Sequence, residues 1–173
     1  MPSAHGQDQF AIEQLGYKHN GTFLDIGCAH PIDSNNTYRL EKEYNFRGVS
    51  IDRDNWIVDW HRERYGSMFI QADALTLDYP AMFRHTDRID YLSIDIDPGE
   101  QSLAVLKMLP PTTRFSVITF EFENPVSEIK NESKRHLLEL GYQLVVENVS
   151  IVYNGLDCPF EDWYIDPTVI SYE

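Results

Sequence analysis

Between Thr22 and Asp52 an apolar run ends in Asp25-Ile26-Gly27, a stretch of helical period follows, and a second apolar run stops on Asp52. An apolar strand, a glycine that lets backbone approach a ligand, and a carboxylate at the end of the next strand belong to one device. Together they hold a nucleoside-bearing molecule at a crevice in a parallel sheet. The expected fold class is therefore α/β.

At 173 residues and 42% hydrophobic composition the chain is expected to form one domain over 1–173, large enough to bury a core without staples. Fourteen Lys and Arg stand against 28 Asp and Glu, a formal net charge of -14 that repels polyanions at long range. Nucleic acid is not expected as a partner. Cys28 and Cys158 show no metal spacing and are expected as reduced thiols. The start of the chain has neither an apolar signal core nor basic targeting character, and no run reaches membrane-spanning length. A cytoplasmic protein with no membrane partner is the expectation; a homo-oligomer is compatible with it.

Apolar runs alternate with segments of helical period, the pattern of repeated strand–helix units and a mainly parallel sheet. Strands are expected at 22–26, 48–51, 68–70, 90–94, 115–120 and 143–150, with a last one near 163–165. Helices are expected at 9–16, 37–44, 56–65, 101–108 and 127–140, the last preceded by Pro125 and closed by Gly141. The final two strands leave no room for a helix, so they should pair antiparallel through Asn154-Gly155 or the loop to Pro159.

Asp52, 27 residues beyond Asp25, can accept from both hydroxyls of a ribose, while Asp73-Ala74 past the third strand suits either an adenine amino group or a helix N-cap. A second constellation is Asp95-Ile96-Asp97 beside Glu121-Phe122-Glu123. Residues two apart on an extended strand face the same side, so neighbouring strands would bring four carboxylates to the carboxyl edge of the sheet. Such a cluster is neutralised by a hard cation or by protons it retains, and both suit removal of a hydroxyl proton near neutral pH. Asp97, Glu121 and Glu123 are the candidate proton-removing groups, and Asp95, Asp97 and Glu123 the candidate ligands for Mg²⁺ or Ca²⁺. The six histidines are scattered without ligand spacing, and only His30 falls in a candidate site. Glu161-Asp162-Trp163 reads as a substrate wall or as a packed strand entry.

Taken in order, Gly6-Gln7-Asp8-Gln9-Phe10, Gly21-Thr22-Phe23-Leu24-Asp25-Ile26-Gly27, Asn36-Thr37-Tyr38-Arg39-Leu40-Glu41 and Gly48-Val49-Ser50-Ile51-Asp52 form a recognisable series. It continues through Tyr91-Leu92-Ser93-Ile94-Asp95-Ile96-Asp97, the run at 117–123, Gly141-Tyr142 and Pro159-Phe160-Glu161-Asp162-Trp163. This series resembles the FkbM-like branch of the class I S-adenosylmethionine-dependent methyltransferases, over nearly the whole chain. The resemblance implies a Rossmann-like sheet of seven strands with the last antiparallel and helices on both faces. It further implies bound S-adenosylmethionine and methyl transfer to an oxygen of a small molecule, often a sugar. By position, Gly27, Cys28, Ala29 and His30 would line the methionine tail, Asp52 the ribose, Asp73 and Ala74 the adenine, and Asp95 the region near the sulfonium. Gln7, Asp25, Asn36 and Arg53 would complete the cofactor-binding set. The chain departs from the family where Cys28-Ala29-His30-Pro31 lacks a further glycine, and where Phe122 stands between the acids in place of a histidine. Two rival readings are a metal-dependent glycosyltransferase using the Asp95-x-Asp97 pair and a cofactor-binding module without chemistry.

Overall fold

The structure, a computed structural model, describes residues 3–54, 67–123 and 128–171. Its frame is a sheet of seven strands: β1 (Thr22–Ile26), β2 (Arg47–Asp52), β3 (Met68–Gln71), β4 (Arg88–Ile94), β5 (Arg114–Glu121), β6 (Gln143–Tyr153) and β7 (Leu156–Ile165). Their order across the sheet is β3-β2-β1-β4-β5-β7-β6. The first five run parallel, and β7 is antiparallel to both β5 and β6. The seven-stranded arrangement matches the one the resemblance implied.

The central strands β1, β4 and β5 are buried on both faces because both faces are covered. Leu24, Ile26, Leu92, Ile94, Ile118 and Phe120 alternate onto one side, where they meet Val105 and Leu106 of α4 (Gly99–Met108) and Leu137 of α5 (Glu128–Glu139). Phe23, Tyr91, Val117, Trp163 and Ile165 take the other side, against Phe10, Ala11 and Ile12 of α1 (Gln7–Gln14) and Leu40 of α2 (Tyr38–Tyr44). Phe10 and Trp163 pack ring against ring with centroids 4.7 Å apart. At the centre of this sandwich, truncating a fully buried leucine such as Leu92 costs on the order of 2–5 kcal/mol.

The expected elements recur with shifted ends. α1 starts two residues earlier than expected, following Gly6 at φ 92, and β4 and α4 likewise begin earlier. A 3₁₀ turn (Ala74–Thr76) and the short helix α3 (Tyr79–Met82), capped by Asp78, were not expected. The last hairpin turns at Asn154-Gly155, with φ 51 and 77, so β7 starts well before the expected 163. Both cysteines are free thiols. The expected helix at 56–65, Pro125 and Ser127 lie outside the described residues. Among the described residues no helix is long and apolar enough to cross a membrane.

Candidate functional site

Register fixes the site. Ile26, Ile51, Ile94 and Phe120 lie level across β1, β2, β4 and β5, so the next residue of each strand forms a row at the carboxyl edge: Gly27, Asp52, Asp95 and Glu121. Glu161 of β7 extends the row, since it pairs with Glu121. Residues level across a sheet face the same side. Five neighbouring strands thus present one glycine and four carboxyl groups along a single line.

The half of this row between β2 and β4 opens into a cleft of about 360 Å³, lined by Gly27, Ala29, Asp52, Arg53, Asp73, Ala74, Asp95 and Asp97 among others. Gly27 is indispensable to its floor. Its φ is 80, and a Cβ there would lie 1.8 Å from the carbonyl oxygen of Asp95. The backbone around it is sewn shut by Gly27 N–H to Ile51 O (2.9 Å) and Asp95 N–H to Ile26 O (2.9 Å). The glycine is therefore demanded by β4 passing close by, as well as by any ligand above it.

Asp52 ends β2 with its carboxylate turned to the cleft. One oxygen accepts the Ala29 N–H at 2.9 Å and the other the Asp54 N–H at 2.9 Å. A carboxylate has about four lone-pair sites, so both oxygens still have capacity for a diol. Ala29 reaches Asp52 by adopting φ 45, left-handed backbone at the position after Cys28 where the resemblance called for more glycine. The loop thus makes this left-handed turn with an alanine. His30 stabilises this loop by accepting the N–H groups of Ile32 and Asp33 at Nδ1 (3.1 and 2.9 Å). Asp73 lines the cleft and also caps the 3₁₀ turn through the Leu75 N–H (2.9 Å).

Other expected cofactor residues lie beneath the cleft wall. Cys28 is buried, and its carbonyl accepts from Asn35 at 3.1 Å. Asp25 accepts the Thr37 hydroxyl at 2.8 Å, and the Asn36 amide donates to Ser93 Oγ at 3.0 Å. These contacts fix the loop between β1 and α2. Gln7 is likewise buried, with its amide donating to Glu161 at 3.0 Å and its carbonyl accepting the His5 N–H.

The acid cluster differs from the expected one. Glu123 does not join it, because the chain leaves β5 after Glu121 and reaches φ 64 at Glu123, whose carboxylate turns to accept the Gly99 N–H at 2.9 Å. Its place is taken by Glu161, which the sequence suggested only as part of a substrate wall or of a packed strand entry. Among the described residues no group of three or more His, Cys, Asp or Glu side chains is placed to hold a metal ion. The expected ligand set of Asp95, Asp97 and Glu123 is thus not assembled. Phe122 is fully buried, so no polar group stands between the acids of β5.

Burial sets the protonation of what remains. It raises Glu161 to about 8, with the charge of Asp95 adding to the rise and the Gln7 hydrogen bond opposing it. Glu121 is raised by burial and then by the Asp95 charge beside it; Asp95 is raised by burial, helped by Asp97 and Asp52. Asp95 and Glu121 lie side by side at the ends of β4 and β5, so each raises the other's affinity for a proton. All three acids of this edge are thus shifted toward their protonated forms.

No family model matches the chain, and no curated protein matches it in sequence. Solved structures do. TrmK of M. capricolum, in complex with S-adenosylhomocysteine, is 15% identical with a TM-score of 0.63, over 96% of this chain and 70% of that one. Precorrin 8w decarboxylase of Methanobacterium thermoautotrophicum is 19% identical with a TM-score of 0.56, over 95% and 91%. Aeropyrum pernix fibrillarin, with natively bound S-adenosylmethionine, is 16% identical with a TM-score of 0.55, over 86% and 67%. At such identities the likeness assigns the fold, the Rossmann-like class I methyltransferase fold, with its antiparallel seventh strand.

Proposed function

We propose that this chain is an S-adenosylmethionine-dependent methyltransferase of the FkbM-like kind, which methylates a hydroxyl oxygen of a small molecule or sugar. The observation that carries the reading is the Gly27–Asp52–Asp95 row at the mouth of a cleft, at the carboxyl ends of β1, β2 and β4. Ligands of open α/β sheets bind at this edge. Two structures of the same fold hold S-adenosylmethionine or S-adenosylhomocysteine.

In this reading Asp52 accepts the two ribose hydroxyls, and the loop from Gly27 through Ala29 holds the methionine portion. Asp73 and Ala74 bound the adenine, and Asp95 faces the sulfonium. The bound cofactor supplies an already activated methyl group. What the chain must add is alignment of the acceptor oxygen and removal of its proton. Asp97, on the cleft wall, and Glu121, beside Asp95 on the neighbouring strand, are the groups available for that proton. The reading gives no role to a metal. The charge of -14 disfavours a nucleic acid acceptor.

A thermal shift screen tests it. A ligand present at a hundred times its Kd stabilises the native state by about 2.7 kcal/mol. S-adenosylmethionine and S-adenosylhomocysteine should raise the melting temperature, and UDP-sugars with Mg²⁺ or Ca²⁺ should not. Stabilisation by a UDP-sugar with metal alone would transfer the chain to the glycosyltransferase reading.

A further inference from the structure

Asp95, Glu121 and Glu161 stand at one level on three neighbouring strands, and only Asp95 of the three reaches the cleft. Glu161 is 2% exposed and held by Gln7 from α1. Around the row stand Asp52 from β2, Asp97 after β4, Asp25 and Thr119 beneath, and Tyr91 hydrogen-bonded to Thr119 at 2.8 Å, while Arg53 lines the same cleft next to Asp52. Among the described residues no Lys, Arg or His forms an ion pair with any member of the row. No ion pair among the described residues therefore offsets the charge of the row, which leaves retained protons to do so. A cation arriving beside Asp95 competes with those protons, because a nearby positive charge favours the ionised carboxylate.

We infer that S-adenosylmethionine displaces a proton from the Asp95–Glu121–Glu161 row as it binds, so that cofactor binding itself prepares the row to accept a proton from the acceptor. The inference rests on the reading above. It adds that the cofactor's sulfonium charge, and not its adenosine or amino acid parts, drives the release. The row is thereby ionised only while the methyl donor is in place. After transfer the product lacks the sulfonium charge, and a proton taken from the acceptor restores the row's resting state.

Isothermal titration calorimetry of the whole chain at pH 7.0 tests this without any acceptor. S-adenosylmethionine is titrated in phosphate and in Tris, buffers of very different ionisation enthalpy. The binding heat should differ between them in the sense of a proton released. Affinity should rise from pH 6 to 8, by up to about tenfold per pH unit for a full proton. S-adenosylhomocysteine, which lacks the sulfonium charge, should show a smaller buffer difference and a flatter profile. Glu121→Gln should reduce the release seen with S-adenosylmethionine.

Binding of S-adenosylmethionine with buffer-independent heat and flat pH dependence overturns the inference and leaves the proposed function standing. Equal release with both ligands overturns it too, as does a release unchanged in Glu121→Gln, which would place the proton on the ligand's own amino group. Absence of binding overturns the inference together with the proposed function. Should the variant not fold, the comparison of the two ligands on the unaltered chain decides.

Discussion

The two edges of the sheet treat buried carboxylates in opposite ways. At the amino edge of β4 and β5, Asp166 is fully buried and receives Arg88 at 2.8 Å, Arg114 at 3.0 Å, and both the N–H and the hydroxyl of Thr168. Asp90, close by, receives Lys18 at 2.8 Å and the Thr22 N–H at 2.9 Å. At the carboxyl edge, Asp95, Glu121 and Glu161 have no cationic partner among the described residues. Burial alone would raise Asp166, yet the hydrogen bonds from Arg114, Thr168 and Arg88 pull it well below the usual carboxylate range. Burial raises the three acids of the other edge, and nothing reverses it. Acids that hold the sheet together are neutralised by the chain. Acids at the cleft are left for something else to neutralise, which marks that edge as the one that works on a ligand.

The most direct way to break this contrast is to treat both edges alike. Asp166→Ala leaves two guanidinium groups without their carboxylate and is expected to cost about 3–5 kcal/mol. For a chain of this length each kcal/mol lowers the melting temperature by roughly 2–4 °C. Urea denaturation and a melting curve at pH 7 measure it. A loss below about 1 kcal/mol would mean that the amino-edge pairs are no more important than exposed ion pairs.

Asp52→Ala should show the opposite balance. The loss falls mainly on ligand affinity, because a hydrogen bond to a charged group contributes about 1.5–3 kcal/mol, or roughly ten- to a hundredfold in Kd. Calorimetry with S-adenosylhomocysteine reads the affinity, and a melting curve reads the stability. A variant that melts much lower but binds undiminished would make Asp52 a structural clamp for Ala29 and Asp54 and nothing more.

The pH dependence sharpens the contrast further. A carboxyl group raised on folding stabilises the native state fully below its ordinary value and loses that contribution as pH climbs through the raised one. For Glu161 the window runs from its ordinary value of 4.5 up to about 8. Asp166, lowered on folding, contributes above its ordinary value of 3.8 and loses the contribution only as strong acid is approached. The ligand-free protein should therefore melt lower at pH 8 than at pH 5.5. Glu161→Gln keeps an acceptor for Gln7 without the charge, so it should recover on the order of 1–2 kcal/mol at pH 8 and little at pH 5. Parallel pH profiles for the two proteins would show that Glu161 is not held protonated.

Much of this was legible in the chain, and the exceptions have physical reasons. The segment from Thr22 to Asp52 could be read because its register is local: a strand, a short crossover and a parallel neighbour leave little freedom for where Gly27 and Asp52 end up. Glu161 could not, because it reaches the row only when β7 inserts antiparallel between β5 and β6, and nothing local to Glu161 announces that. A period-two pattern at Glu161, Trp163 and Ile165, matched to Val117, Thr119 and Glu121, was the available signal. Glu123 was misplaced because strand periodicity was carried past the residue at which β5 stops. Gln7 was expected at a ligand, but a sequence does not tell whether a polar side chain faces a cleft or a buried acid.

Ala29 offers the smallest and most discriminating test. Its left-handed backbone costs an alanine roughly 1–2 kcal/mol relative to the right-handed helix region, a cost that glycine avoids. Glycine in turn gives the unfolded chain more freedom, which offsets about 0.4–1 kcal/mol of that relief. Ala29→Gly should therefore change stability by no more than about 1.6 kcal/mol, in the stabilising direction. The 2.9 Å contact to Asp52 survives because it is made by the backbone N–H. Cofactor affinity should stay within about twofold of the unaltered protein, a shift of roughly 0.4 kcal/mol, as calorimetry can read. If affinity instead rises tenfold, the rigidity of alanine is holding the loop away from its bound shape. If stability falls by more than about 1 kcal/mol, the Ala29 side chain is packed into the loop, and the missing second glycine reflects a changed loop rather than an alanine in glycine's conformation.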